Sequence, residues 1–256
     1  MKILMIGDIV GSPGRKIFKR EIPRIKREMG VNAVIANAEN CAAGSGITAA
    51  LAKELFEAGA DAITLGDHTW GQKEFAGQID SVDKLVRPLN FPSECPGKGW
   101  RIVTMPTFRF AVINALGRVF MTPSDCPFKA IDRALQEIPK DIPVFVDFHA
   151  EATAEKIALG QYLKDDVTCV YGTHTHVQTA DERILPNKTA YISDVGMCGS
   201  IDSVIGYDYK SFIDRKKKNP STFVAKNAPY MINALYVEID LDTKEAIHIE
   251  RINEKM

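Results

Sequence analysis

Carboxylates and imidazoles recur where the apolar runs of this chain stop. Asp8 follows the run at residues 2–6, Glu39 the run at 33–36, and Asp67-His68 the run at 61–65. His149 comes directly after residues 143–148, and His174 and His176 come just after 168–171. Four of the five histidines stand at such ends, and His248 does not. One carboxylate at a strand end is commonly a helix cap, and one buried imidazole is commonly a hydrogen-bonded core group. Several together differ, because burying them side by side without a cation leaves uncompensated charge. The segment His174-Thr175-His176 adds a condition. Alternate residues of an extended segment face opposite ways, so both imidazoles reach one site only if the chain turns there or straddles two metals.

Asp8, Glu39 and Asp67 with His149, His174 and His176 suit a dinuclear site. Oxygen and nitrogen ligands without thiolate favour manganese, iron or zinc over copper(I). Two metals roughly 3.5–4 Å apart clamp the attacking and leaving oxygens of an in-line displacement at phosphorus. A carboxylate must bridge them, and Glu39 is the candidate. A bridging water would lose its proton near neutral pH and act as nucleophile.

Such a site needs parallel strands whose carboxyl ends open onto one crevice, where α/β sheets collect their ligands. The pattern supplies them. Residues 2–6, 33–36 and 61–65 read as strands, separated by helices that start at Ser12-Pro13 and span 48–58. Ser12 is read as a side-chain cap with Pro13 in the first turn, and Pro23 should kink or divide that helix. Residues 101–105 and 110–116 read as an antiparallel pair. Helices at 128–138 and 153–163 then alternate with strands at 143–148, 168–171 and 189–193, and residues 232–241 and 246–252 form a hairpin. The strand–helix alternation implies parallel pairing. The expectation is a single α/β domain over residues 1–256, with two sheets sandwiched between helices.

Gly7, Gly11 and Gly14 follow the first strand and imitate a dinucleotide-binding fingerprint, with Glu39 as the distal acid. Ile9 and Ser12 stand where that fingerprint needs glycines, so the spacing fails. These glycines are read instead as letting the backbone run close to the metals.

Composition excludes other classes. The chain has 256 residues, 32 Lys+Arg against 33 Asp+Glu, and a net charge of −1, unlike a general nucleic-acid coat protein. No apolar run approaches the roughly 20 residues needed to span a bilayer. The start of the chain does not read as a signal peptide. Five cysteines without a CxxC pair indicate neither a disulfide framework nor a zinc knuckle, so a reducing cytoplasm is the expected home. Cys41 and Cys198 lie beside site segments and are expected to be oxidation-sensitive. Residues 15–28 carry seven Lys/Arg against two Glu, and residues 210–226 carry six against Asp214 alone. A solvated face is the plain reading of both stretches, and steering of an anionic ligand the other.

Taken in order, Gly7-Asp8-Ile9-Val10-Gly11, Asn37-Ala38-Glu39-Asn40, Gly66-Asp67-His68-Thr69-Trp70, Asp147-Phe148-His149-Ala150 and Gly172-Thr173-His174-Thr175-His176 resemble the motifs of calcineurin-type metallophosphoesterases. More narrowly they resemble the YmdB-like branch of bacterial cyclic-nucleotide phosphodiesterases. Ser193-Asp194-Val195-Gly196-Met197 and Asp202-Ser203-Val204-Ile205-Gly206 are also similar to that branch. The resemblance implies a four-layer α/β/β/α sandwich and iron or manganese as the usual metal. It implies that Asp8, Glu39 and His176 bind one metal with Asn40 close by, that Glu39 bridges, and that position 67, His149 and His174 complete the second. His68 would bind no metal and would face the scissile phosphate as general acid or charge stabiliser. One position departs from the family, whose Gly-Asn-His is here Gly66-Asp67-His68. A carboxylate suits hard divalent metals. Its charge should tighten metal binding, make the site less electrophilic toward phosphate, and raise the pKa of a bridging water and of His68. Val10 stands where the wider superfamily has the histidine of Asp-x-His, as in the YmdB-like branch.

The leading reading is a dinuclear metal-dependent phosphodiesterase acting on 2′,3′- or 3′,5′-cyclic nucleotides by in-line attack of a metal-bridging hydroxide. The alternative is a metal-binding regulatory or scaffold protein with vestigial phosphoesterase activity and an RNA or protein partner, and a third is a metal-dependent amide hydrolase. Substrate-binding residues are not assigned by the sequence, although loops at 89–99 and 210–226 are expected to read a base. A homo-oligomer is left open.

Overall fold

The computed structural model describes residues 1–216, 223–226 and 228–256. The first half runs β1 (Lys2–Ile6), β2 (Asp8–Ile9), α1 (Gly11–Met29), β3 (Ala33–Asn37), α2 (Ala49–Glu57), β4 (Ala62–Thr64) and β5 (Leu85–Val86). An antiparallel pair follows, β6 (Trp100–Thr104) and β7 (Arg109–Leu116), then α3 (Pro127–Glu137), β8 (Val144–His149), α4 (Thr153–Leu163) and β9 (Cys169–Thr173). The chain continues through β10 (Arg183–Ile184), β11 (Ala190–Ile192), β12 (Met197–Ser200) and α5 (Tyr209–Lys216) to the hairpin β13 (Tyr230–Ile239) and β14 (Ala246–Lys255).

Two sheets result. The first has the order β2-β12-β13-β1-β3-β4-β5, with β14 on the free side of β13, and β1, β3, β4 and β5 are mutually parallel. The second has the order β10-β11-β9-β8-β7-β6, with β7, β8, β9 and β11 parallel. Alternation along the strands gives each sheet two apolar faces. Leu4, Ile6, Val34, Ala36 and Ile63 pack against Phe18, Ile22 and Ile25 of α1 and Leu55 of α2. Their neighbours Ile3, Met5, Ala33 and Ile35 turn the other way and meet Phe110, Val112, Phe145 and Tyr171 of the second sheet. The far face of that sheet, with Ile113, Val146 and Val170, is covered by Ile131 and Leu135 of α3 and Leu159 and Leu163 of α4. The layers are α/β/β/α, as expected.

Several local expectations are corrected. Helix α1 begins at Gly11, capped by Val10 rather than by Ser12, and no side chain caps it. The Val10 carbonyl takes the first bond, from Gly14 N–H at 3.0 Å. Pro23 lies inside α1 without dividing it, because it sits on the solvent face, where water can serve the carbonyl that proline leaves without a donor. The glycines of the first motif do not line the imidazole cluster. A Cβ on Gly7 would lie 2.1 Å from the Gly196 carbonyl oxygen, and one on Gly14 would lie 2.4 Å from that of Cys198. They admit the neighbouring strand β12 instead. That strand, which the pattern does not reveal, pairs Met197 with Asp8 and so positions the first carboxylate. Residues 15–28 are partly ion-paired, since Arg24 meets Glu21, Glu28 and Glu254, Arg20 meets Glu21, and Lys26 meets Asp61, while Lys16, Lys19 and Arg27 are exposed as on a solvated face. Part of the second basic stretch, residues 217–222, lies outside the described residues. His248 is on β14, 3.6 Å from Glu250 and away from the other histidines.

Candidate metal centre

The carboxyl ends of β1, β3 and β4 in one sheet face those of β8 and β9 in the other, and every sequence-predicted site residue stands there. One ligand atom each from Glu39, Asp67, His149 and His174 falls within 4.8 Å of the others. Asp8 Oδ1 lies 3.9 Å from His176 Nε2 and 3.9 Å from His149 Nδ1. Asn40 Oδ1 lies 3.1 Å from His176 Nε2. His68 closes the group, its Nδ1 2.9 Å from Glu39 Oε1. A cavity of about 240 Å³ opens onto Glu39, Asn40, His68, His174 and His176. A larger cleft of about 510 Å³ lies among Lys140, Lys164, Lys188 and Lys244 at the amino ends of β8 and β9, and it holds no imidazole.

The condition set by His174-Thr175-His176 is met by a turn. His174 has φ 103° and His176 has φ 64°, both left-handed values that side-chain-bearing residues rarely adopt. Such backbone costs on the order of 1–3 kcal/mol at each residue and persists only where the surroundings hold it.

Partners of the imidazoles decide which ring nitrogen is free. His149 Nδ1 is 2.9 Å from Thr173 Oγ1, whose single hydrogen goes to Asp147 Oδ1 at 2.6 Å. That hydroxyl can therefore only accept from His149, which leaves Nε2 with a lone pair. His176 Nδ1 faces the Ile205 carbonyl at 2.7 Å, which also only accepts, and again frees Nε2. His174 Nε2 faces the Glu151 carboxylate at 3.2 Å, so Nδ1 is free. The freed atoms converge. His149 Nε2 and His174 Nδ1 stand 3.0 Å apart, with Asp67 Oδ1 3.1 Å from the first and 3.5 Å from the second. Asn40 Nδ2 donates to the Gly44 carbonyl at 3.1 Å, so its Oδ1 is the atom turned toward His176 Nε2. The fully buried Asp8 Oδ1 has no hydrogen-bond partner. Acceptors that face one another with no donor among them fit a bound cation, and the oxygen–nitrogen set fits a hard or borderline metal.

Charge balance points the same way. Burial raises the Asp8 carboxyl pKa despite His176 and His149. Burial also works against ionised Glu39 and Asp67, yet His149, with His68 at Glu39 and His174 at Asp67, holds both well below the usual carboxylate range. Burial would discharge His149, but Glu39 and Asp67 hold its pKa well above the ordinary value. Carboxylates that would keep a proton on a buried imidazole would equally keep a metal in its place. The His68 pKa is raised, chiefly by its bond to Glu39, with Asp67 a smaller contributor. The direction expected from the Asp67 departure holds, but its main cause is Glu39.

Gly66 supplies the close approach that the first-motif glycines do not. A Cβ there would lie 2.3 Å from Glu39 Oε2 and 2.4 Å from His149 Nε2. Gly66→Ala should therefore weaken manganese binding by at least roughly 10–100-fold, the range seen when a ligand's support is lost. Calorimetric titration of the metal-free variant checks this, and parental affinity would show that the contact is not needed.

Sequence reasoning missed the supporting residues. Asp147 is buried beneath His149 and accepts from Asn37, Thr64 and Thr173, while the Asn37 side chain also accepts from Glu39 N–H. Burial raises the Asp147 carboxyl pKa to about 6, against the opposing pull of His149 and its three donors. The polar residues Asn37 and Thr64 inside otherwise apolar strands were the available signal. Residues 89–99 do not line the cavity, which instead takes Glu151, Thr175, Ile205 and Tyr207. The thiols of Cys41 and Cys198 are fully buried, contrary to the expectation of oxidation sensitivity, and burial pushes Cys41 up to about 12 and Cys198 higher still.

Comparison with known proteins agrees with the geometry. The family described as YmdB-like protein matches residues 4–252. A 2′,3′-cyclic-nucleotide 2′-phosphodiesterase of Bacillus subtilis is 48% identical over 254 residues, covering 98% of this chain and 96% of that protein. Among solved structures, a hypothetical protein from Thermus thermophilus superposes with a TM-score of 0.92 at 37% identity, covering 100% of this chain and 99% of that one. A novel phosphatase from Mycoplasma pneumoniae gives a TM-score of 0.91 at 35% identity, covering 100% of this chain and 93% of that one.

Proposed function

This chain belongs to the YmdB-like protein family and is a hydrolase of phosphoester bonds, and on that premise we propose that it is a two-metal phosphodiesterase that opens 2′,3′-cyclic nucleotides. One observation carries the reading: the outer partners of His149, His174 and His176 turn all three free nitrogens toward the buried carboxylates. Asp8, Asn40 and His176 would hold one ion, and Asp67, His149 and His174 the other, with Glu39 shared between them. Iron or manganese suits this set, and zinc is the alternative. Bound there, the ions would supply Lewis acidity at the phosphoryl oxygens and a water acidic enough to attack near neutral pH.

The remaining chemistry falls to the protein. Glu39 accepts from the His68 backbone N–H at 2.9 Å through Oε2 and faces His68 Nδ1 at 2.9 Å through Oε1, so it holds both the backbone and the ring of that residue. With Nδ1 engaged, His68 Nε2 is the atom that gives a proton to the departing ribose oxygen. Asp67 adds negative charge beside the phosphate, which favours tight metal retention over electrophilicity. The whole chain, residues 1–256, serves as one catalytic domain. The five cysteines are free, in keeping with a cytoplasmic home, and no described helix is long and apolar enough to cross a membrane.

The test is a substrate panel with the manganese-loaded protein: 2′,3′-cyclic and 3′,5′-cyclic nucleotides, a linear dinucleotide, an aryl phosphodiester and an amide. Hydrolysis of the 2′,3′-cyclic members should fall by at least about 10³-fold after metal stripping, the loss of several kcal/mol of charge stabilisation. It should return with manganese. Full turnover by protein shown to be metal-free by elemental analysis would refute the reading, and amide cleavage alone would favour an amide hydrolase.

A further inference from the structure

Lys156 and Asp194 form an ion pair in the interior of the fold, with Nζ and Oδ2 2.7 Å apart and side chains only 3% and 2% exposed. Lys156 comes from the first turns of α4, and Asp194 follows β11 in the segment Ser193-Asp194-Val195-Gly196. Neither residue lines the cavity or belongs to the metal-competent cluster. A buried ion pair is a weak source of stability, because desolvating two charges offsets most of their attraction. Its presence needs a reason other than holding the core together.

That reason lies in what else the Asp194 carboxylate touches. Oδ2 accepts from Thr175 N–H at 3.1 Å, and Oδ1 accepts from Gly196 N–H at 2.8 Å. Thr175 is the residue between the two imidazoles. The preceding amide, His174 N–H, goes to Asp8 Oδ2 at 3.1 Å. Two successive amides of the strained turn are thus each tied to a different buried carboxylate. The Asp194 backbone ties down the next residues, since its N–H donates to Thr179 Oγ1 at 2.9 Å and its carbonyl accepts from Thr179 N–H at 3.1 Å. Gly172 makes the arrangement fit: a Cβ there would lie 1.8 Å from the Ser193 carbonyl oxygen and 3.0 Å from Lys156 Cδ.

We infer that Asp194, with Lys156 as its counter-ion, is a positioning group for His174 and His176. It holds the Thr175 peptide so that both flanking residues keep left-handed backbone and turn their imidazoles into one centre. At the backbone, the strain at φ 103° and φ 64° is held by this carboxylate and by Asp8, beside the anchoring of the two imidazoles on Glu151 and the Ile205 carbonyl. Metal affinity, more than folding stability, is what the pair secures. The inference rests on the two-metal reading above.

The experiment compares manganese affinity with thermal stability in metal-free protein. The Lys156→Met/Asp194→Leu double variant removes the ion pair and the amide acceptors together without leaving either partner as an unpaired buried charge. Because the Thr175 and Gly196 amides lose their acceptors, its melting temperature should fall slightly, with the protein still folded. Its manganese affinity should fall on the order of 10–100-fold. Asp194→Asn keeps one acceptor oxygen and should fall between the two. A folded double variant with parental affinity would overturn the inference and leave the pair a purely structural feature. Should the double variant not fold, Asp194→Asn decides: a drop of about tenfold or more supports the role, and parental affinity overturns it. Failure of the parent itself to bind manganese would instead count against the two-metal reading.

Discussion

Replacing Glu39 by glutamine should abolish metal occupancy and phosphodiesterase activity together, with kcat/KM falling by at least about 10³-fold. The side chain is 1% exposed and serves three groups at once. Its Oε2 is 3.3 Å from His149 Nε2 and accepts His68 N–H, while Oε1 holds His68 Nδ1. Glutamine has the same shape, so the effect isolates charge. Without that charge, His149 loses the strongest source of its raised pKa, and His68 loses its bond to a carboxylate. The proposed shared ligand also becomes a neutral amide with one oxygen and one N–H₂ donor, which cannot serve two cations. Elemental analysis beside steady-state kinetics checks the result. Parental metal content in Glu39→Gln would remove Glu39 from the ligand set.

His68→Ala should separate what Glu39→Gln joins. Metal content should stay at the parental level, while the rate falls on the order of 10²–10⁴-fold, as when a positioned acid is lost. His68 is 40% exposed through its side chain and borders the cavity, so its removal opens no core. The pH profile gives a second signature. The bond to Glu39 raises the His68 pKa, so the protonated acid persists to higher pH than in a free histidine. Parental activity should therefore fall as pH rises through that raised pKa, since the donor is then deprotonated. The alanine variant should lack this alkaline limb. Unchanged kinetics would remove His68 from the mechanism, and lost metal would make it a ligand or a support for one.

Much of the fold was legible because burial imposes short periods on the sequence. Apolar runs flanked by amphipathic helices give parallel strands, and the helix at Thr153–Leu163 matches its expected span. The misses were short or lacked a period of their own. Strand β12, Met-Cys-Gly-Ser, has no alternation and exists because β2 and β13 flank it. Ser12 has the composition of a cap but not the position, because the helix starts two residues earlier, at Gly11, with Val10 in the cap position.

The candidate site was legible for a different reason. Asp8, Glu39, Asp67, His149, His174 and His176 each stand at or shortly after the carboxyl end of a strand, and parallel strands that end on one side must gather their ends. Residue types and chain order were thus enough to indicate a metal-collecting phosphoesterase crevice. What the tertiary structure alone decided is how each group is presented. Which nitrogen of His149 is free depends on Thr173 and Asp147, which of His176 on a carbonyl at Ile205, and which of His174 on Glu151. Whether His174 and His176 can share a site depends on left-handed backbone held through Asp8 and through Asp194, itself paired to Lys156. Local sequence carries periodicity and composition, whereas tautomer, protonation and a strained turn are set by partners distant in the chain, which only the packed sheets bring within hydrogen-bonding reach.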